Sequence, residues 1–180
     1  VMTGSVGSQG VIGITGWSGS GKTSLVIRLI PEFSDRGFRV ATIKHAHHAF
    51  DIDTPGKDSY EHRAAGAVEV VISSTKRWAV MHENQSQAEP TLDELLARMS
   101  PADIVLVEGF KNDAHAKIEV HRPSTGAELI CTGNDSVIAV ASDEDVAGLS
   151  LPVLDLNDTA AIADFISELC GLRSPSAGAV

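Results

Sequence analysis

With two cysteines in 180 residues, the chain has little sulfur chemistry on offer. Cys131 and Cys170 form neither a metal-type pair nor a disulfide framework, and a reduced, cytoplasmic setting is the simplest expectation. Long apolar runs are missing as well. None reaches about 18 residues, so no helix is expected to span a membrane. Cations are outnumbered, 14 Lys and Arg against 24 Asp and Glu for a net charge of −10, which argues against sequence-independent nucleic-acid binding, since that needs clustered positive charge. The opening VMTGSVGSQG lacks the basic flank and apolar block of a signal peptide. No internal repeat is visible. What is present, 43% hydrophobic and 21% charged residues, describes an ordinary globular chain with room for one sizeable core.

One stretch organises the rest: Val11 to Leu25, VIGITGWSGSGKTSL. The apolar run Val11–Ile14 stops at Gly16, and Gly16-Trp17-Ser18-Gly19-Ser20-Gly21-Lys22-Thr23 then fits the phosphate-loop pattern G-x-x-x-x-G-K-[ST] at every fixed position. Gly16, Gly19 and Gly21 let backbone approach an anion without an intervening Cβ. Successive N–H groups and the start of the next helix form a concave anion site. Lys22 supplies a cation for the outer phosphates, and the Thr23 hydroxyl is suited to magnesium. The expected organisation is a flexible N-terminus over 1–10, a single nucleotide-binding domain over 11–172 and a flexible tail over 173–180.

Leu25, Val26, Leu29 and Ile30 have helical spacing, predicting a helix over 24–33 that ends early at Pro31. Residues 39–43 read as a second strand, giving a β-α-β unit with parallel strands. The segment 44–59 is dense in titratable groups, and Thr54-Pro55-Gly56 marks it as a loop. Asp58 or Ser59 can cap a short helix through Tyr60, His62, Arg63 and Ala64, ended by Gly66. Strands follow at 68–73 and 78–82. Thr91 and Glu94 form a capping-box pattern before Leu92, Leu95, Leu96 and Met99, with Pro101 closing that helix. Residues 103–110 contain a continuous apolar run, as in a parallel strand buried on both faces, and it ends in Glu108 at the edge where such sheets place ligands. Further strands are expected at 117–120, 137–140 and 153–154, and a last helix over 158–172. The fold class is α/β, a P-loop NTPase-type doubly wound, mostly parallel sheet flanked by helices.

Three blocks, Gly16–Thr23, the segment from Thr42-Ile-Lys-His-Ala-His-His to Pro55-Gly-Lys-Asp-Ser59, and Val107-Glu-Gly-Phe-Lys111, make the chain resemble the MobB family of molybdopterin-guanine dinucleotide biosynthesis. The resemblance spans roughly residues 11–145. It implies a GTP-binding accessory protein with weak GTPase activity, homodimeric and acting beside the MobA-type guanylyltransferase that attaches GMP to molybdopterin; the Mg2+ expected at Thr23 comes from the phosphate-loop chemistry. Molybdopterin itself is a candidate ligand. The base-reading motif Asn-Lys-x-Asp is absent, so guanine preference is implied by the resemblance and by no signature.

The candidate nucleotide-binding residues are Gly16, Ser18, Gly19, Ser20, Gly21, Lys22, Thr23 and Ser24. Thr23 and Glu108 are the candidate metal ligands, Glu108 because an acid ending a buried strand beside a phosphate loop can orient a magnesium shell; a strand-end acid that simply reaches solvent is the alternative. Lys44, His45, His47, Asp51 and Lys57 form a candidate anion or substrate loop, in which Asp53 or Asp58 would sit near the metal or attacking water as the catalytic acids. A zinc site on His45, His47, His48, Asp51 and Asp53 competes with this reading, but the spacing is irregular for a closed site and no cysteine is close in sequence. A solvated polar loop is the third reading. Asp143 follows a late strand; its carboxylate can accept from guanine N1–H and N2–H, while Ser142-Asp143-Glu144 is also ordinary capping chemistry. Trp17 has no assigned role. A P-loop small-molecule kinase is the competing function. Kinases generally carry cationic lids, whereas the Arg residues here are scattered and only Arg63 lies near the proposed loop site.

Overall fold

The computed structural model describes residues 9–46 and 50–173. In chain order the elements are β1 (Gly10–Thr15), α1 (Lys22–Asp35), β2 (Val40–Lys44), α2 (Asp58–Ala64), β3 (Glu69–Ser73), β4 (Trp78–His82), α3 (Leu92–Arg98), β5 (Ile104–Glu108), β6 (Lys117–His121), β7 (Val137–Ser142), β8 (Val153–Asp155) and α4 (Thr159–Cys170). They divide into two compact units, one made of residues up to 45 and from 100 onward, the other of residues 46–99.

The first unit is a six-stranded sheet in the order β2-β5-β1-β6-β7-β8, every neighbouring pair parallel. The register puts Ile14 and Lys44 both beside Glu108, so the exit of β1, the end of β2 and the acid of β5 meet at the carboxyl edge. One face carries Ile12, Ile14, Ile104, Leu106, Ile118, Val120, Ala139 and Ala141, packed on Leu25, Leu29 and Phe33 of α1 and on Ile162, Ala163 and Ile166 of α4. Each large side chain buried in this way contributes about 1.5–3 kcal/mol. Strand alternation turns Lys117, Glu119 and His121 to the opposite face, yet these too are buried.

Burying such groups requires partners, and Lys117 and Glu119 have them. Lys117 Nζ donates to the Asp113 carbonyl, to His115 O at 2.9 Å and to Ser136 Oγ at 2.8 Å. The Glu119 carboxylate accepts from the backbone N–H of Ile130 at 2.8 Å and Cys131 at 2.9 Å. The loop before β6, Ser136 and the short 3-10 turn at Ile130–Gly133 are thus pinned on this side.

Helix α1 does not stop at Pro31; it continues to Asp35. Proline removes one backbone donor, but the turn beyond it is held by packing and charge. Phe33 is fully buried and meets Phe38 edge-on at 6.3 Å, and Arg36 pairs with Glu32 at 2.7 Å and with Asp164 of α4 at 2.6 Å. Helix α4 starts as expected, with Asp158 accepting from Ala161 N–H at 2.9 Å.

In the second unit, β3 and β4 pair antiparallel as a separate two-stranded sheet. The capping box forms on α3 with both its bonds. On α2 the N-cap is Lys57, not Asp58 or Ser59: Asp58 occupies the first turn, where a carboxylate favours the helix dipole, and the Ser59 hydroxyl is committed to Asp53 at 2.9 Å. The hairpin pairs Val71 with Val80 and Ser73 with Trp78, and leaves Val71, Trp78 and Val80 exposed. Among the described residues no helix is long and apolar enough to cross a membrane.

Candidate nucleotide site at the phosphate loop

The loop between β1 and α1 is set by its glycines. Gly16 has φ 144°, and a Cβ there would lie 2.5 Å from the Val120 carbonyl of β6, so the loop leaves the sheet against backbone that cannot yield. Gly21, at φ 102°, is the N-cap of α1, and no side chain caps that end. The first-turn N–H groups are therefore available to an anion. Lys22 Nζ folds back over the loop, donating to Gly16 O at 2.9 Å and Trp17 O at 2.8 Å. Burial holds its pKa below the ordinary lysine range, against the raising pull of Glu108. Ser20 Oγ is buried without a partner, while Ser18, Gly19, Thr23 and Ser24 are exposed. Trp17 Nε1 donates to Glu128 O at 2.6 Å, tying the loop's outer turn to the segment after β6.

On the β5 flank, Thr23 Oγ1 donates to Glu108 Oε1 at 2.9 Å and Lys44 Nζ stands 3.4 Å from the same oxygen. The Glu108 carbonyl accepts from His45 N–H at 2.8 Å, and the His45 ring lies 4.8 Å from that of Phe110. The turn behind the acid is strained, with Gly109 at φ 105° and Phe110 at φ 48°. A non-glycine residue in that region costs of order 1–3 kcal/mol, and such residues cluster at functional sites. A hydroxyl and a carboxylate side by side are the hard oxygen donors magnesium prefers, so these residues fit the ion.

The rest of the 44–59 segment belongs to the second unit from residue 46 onward. His47, like His48, lies outside the described residues. Asp53 is nearly enclosed and accepts from Thr54 N–H and Ser59 Oγ, both at 2.9 Å. Arg63 joins Asp53 at 3.4 Å, Asp51 at 2.8 Å and Glu83 at 2.9 Å. These hydrogen bonds, first those to Asp51, raise the Arg63 pKa. The Asp51 pKa is lowered, first by the Asp53 N–H and then by Arg63. The acids singled out for water activation or substrate contact are thus drawn into an arginine-centred knot, with Asp58 and Lys57 exposed at the start of α2. Among the described residues no group of His, Cys, Asp and Glu is arranged to hold a metal ion.

The β6–β7 flank holds the residue that sequence reasoning missed. Arg122, just past β6, donates from Nε to Ser20 O at 3.0 Å and from Nη1 to the Asp143 carboxylate at the end of β7. Asp143, expected to face guanine, is engaged by an arginine, and its other oxygen is buried and unpartnered. Arg122 belongs to no motif; its place directly after a predicted strand was the one available signal.

A parallel sheet whose central strand runs through a glycine loop into a helix, with lysine, threonine and a strand-end acid converging there, defines a P-loop NTPase-like α/β protein. Sequence comparison narrows the class. The family described as molybdopterin guanine dinucleotide synthesis protein B, MobB, matches residues 11–143, and the chain belongs to that family. It is similar to the molybdopterin-guanine dinucleotide biosynthesis adapter protein of Escherichia coli K12, with 45% identity over 88% of this chain and 91% of the relative. The Haemophilus influenzae adapter protein is 40% identical over 87% of this chain and 86% of its own. A crystal structure of molybdopterin-guanine biosynthesis protein B superposes with a TM-score of 0.70 at 29% identity, covering 88% of this chain and 99% of that one.

Proposed function

We propose that this protein binds GTP at Gly16–Ser24 and works as an adapter in molybdopterin-guanine dinucleotide biosynthesis, handing its output to a guanylyltransferase. The observation that carries the reading is the convergence of Lys22, Thr23 and Glu108 at the uncapped start of α1. In the binding step, Lys22 exchanges the Gly16 and Trp17 carbonyls for phosphate oxygens, which are better acceptors for an ammonium group. Thr23 and Glu108 would hold Mg2+, which when bound supplies positive charge against the outer phosphates. Lys44, beside Glu108, adds a cation on the same flank.

Hydrolysis by the chain alone is slow in this reading. An arginine finger is worth about 10³–10⁵ in GTPase rate; Arg63 is held by its acids, and Arg122 by Ser20 and Asp143. A complete binding site with little turnover suits a protein whose product is used elsewhere. The exposed Val71, Trp78 and Val80 of the hairpin offer an apolar face for a second copy, in keeping with a homodimer. Reconstitution of guanylated cofactor from purified guanylyltransferase, molybdopterin and GTP tests the adapter role. Added protein should raise the yield, and a yield indifferent to it refutes the role. Release of phosphate without transfer to added small-molecule acceptors is expected, and transfer would establish a kinase instead.

A further inference from the structure

We propose that Arg122, held edge-on by Ser20 and Asp143, is the platform on which the nucleotide base stacks, and that Asp143 positions this platform and does not read the base. The inference rests on the nucleotide reading above and assigns the part of the site that the phosphate loop leaves open. The phosphates and metal have their groups on the β5 flank and at the loop itself: Lys22, Thr23, Lys44 and Glu108. The remainder of a nucleotide must leave that cluster, and the other neighbour of β1 is β6, which ends one residue before Arg122.

Three features of Arg122 decide what it does there. Two of its three nitrogens, Nε and Nη1, are engaged by Ser20 O and the Asp143 carboxylate, so a two-pronged grip on a phosphate through either fork would compete with these bonds. The Asp143 charge offsets its own, which weakens it further as a counter-ion. Its guanidinium atoms Nε and Nη2 would lie 3.5 Å from a Cβ at Gly21, against the start of α1, and the side chain remains 35% exposed. A planar cation fixed by its edge and open to solvent offers its face, and guanidinium planes stack on aromatic rings. Asp143, by contrast, offers guanine little. One oxygen is spent on Arg122 and the other is buried, where the paired N–H groups of guanine would need both. A stacked platform accepts any purine, so guanine preference, where present, arises at other groups.

The test compares Arg122→Ala, Arg122→Lys and the parent protein by titration with GTP, ATP and inorganic tripolyphosphate, the last having phosphates and no base. Loss of base stacking on the platform should weaken GTP and ATP alike by about ten-fold or more and leave tripolyphosphate within about two-fold of the parent. Arg122→Lys keeps the charge without the plane and should fail to rescue; should Arg122→Ala not fold, it carries the comparison alone. Asp143→Ala should show the same pattern more weakly. Equal loss of tripolyphosphate would make Arg122 a phosphate ligand or a brace for the loop and overturn the proposal. Unchanged nucleotide affinity in both Arg122 variants, with the parent binding normally, would overturn it while leaving the nucleotide reading intact. A parent protein that binds none of the three ligands would overturn both.

Discussion

The two flanks of the phosphate loop are built on opposite plans. Toward β5, Glu108 meets Thr23 and Lys44, each a strand-end or loop residue whose place the sequence announces. Toward β6 and β7, Arg122 and Asp143 meet each other and the Ser20 carbonyl, and no motif marks the arginine. The β5 flank gathers a hydroxyl, a carboxylate and cations, the groups proposed to hold phosphates and metal; the β6–β7 flank holds one planar cation, paired with a carboxylate and fixed in place. Short-range pattern thus reports groups carried by one loop and the next turn of helix. It does not report the Arg122–Asp143 pair, which is assembled from strand ends distant in sequence.

The largest expected effect comes from the residue on which both flanks lean. Gly16→Ala would drive a Cβ into the Val120 carbonyl at 2.5 Å with φ at 144°, and overpacking of this kind costs about 1–3 kcal/mol. Nucleotide binding should be lost and the melting temperature lowered, and a variant that binds and melts like the parent would show that the loop does not rest on β6. Next, Thr23→Ala and Glu108→Gln should raise the magnesium concentration needed for GTP binding by about 10–100-fold. Asp143→Ala should leave that magnesium curve in place. If all of these variants shift it equally, the division between flanks fails. A smaller effect follows from Lys22, whose pKa in the free loop lies below 10.5 because of burial. Phosphate binds the protonated amine and raises its pKa, so affinity is full below the free-loop value and falls as pH rises through it. GTP titrations along an alkaline series should show the decline beginning earlier than for an ordinary lysine; a flat profile would remove Lys22 from the phosphates. The smallest effect lies away from both flanks. Burial, and then Lys117, lowers the His115 pKa from 6.5, so the unfolded chain takes up a proton first on acidification. Stability should be full above about pH 6.5 and decline below it, and His115→Gln should flatten that part of the melting-temperature profile.

Much of the fold was legible because local pattern and tertiary environment agree. The strand before the loop, the apolar run of β5 and the capping box of α3 all form where their residues place them. Pro31 misled because buried Phe33 and the Arg36 pairs outweigh one missing donor. The strands β3 and β4 were legible as strands; their antiparallel pairing, Val71 with Val80, is local, made across a four-residue connection at 74–77 of a length that hairpins commonly use. Residues Lys117, Glu119 and His121 look like the wet side of a strand, because alternation shows which residues share a face without showing what covers it. For the site, the phosphate loop and Glu108 could be read directly. Asp51 and Asp53 could be named as acids but not as partners of Arg63, since a knot across the second unit is set by its folding.

Everything proposed for the site depends on guanine-nucleotide binding by the loop from Gly16 to Ser24. Calorimetric titration of GTP, with ATP as competitor, into the parent protein and into folded Lys22→Ala in the presence of magnesium tests it most directly. Saturable binding with GTP preferred is expected in the parent, and no measurable binding in Lys22→Ala although it melts as a folded protein. Equal affinity in the two proteins, or a parent that binds neither nucleotide, would contradict it.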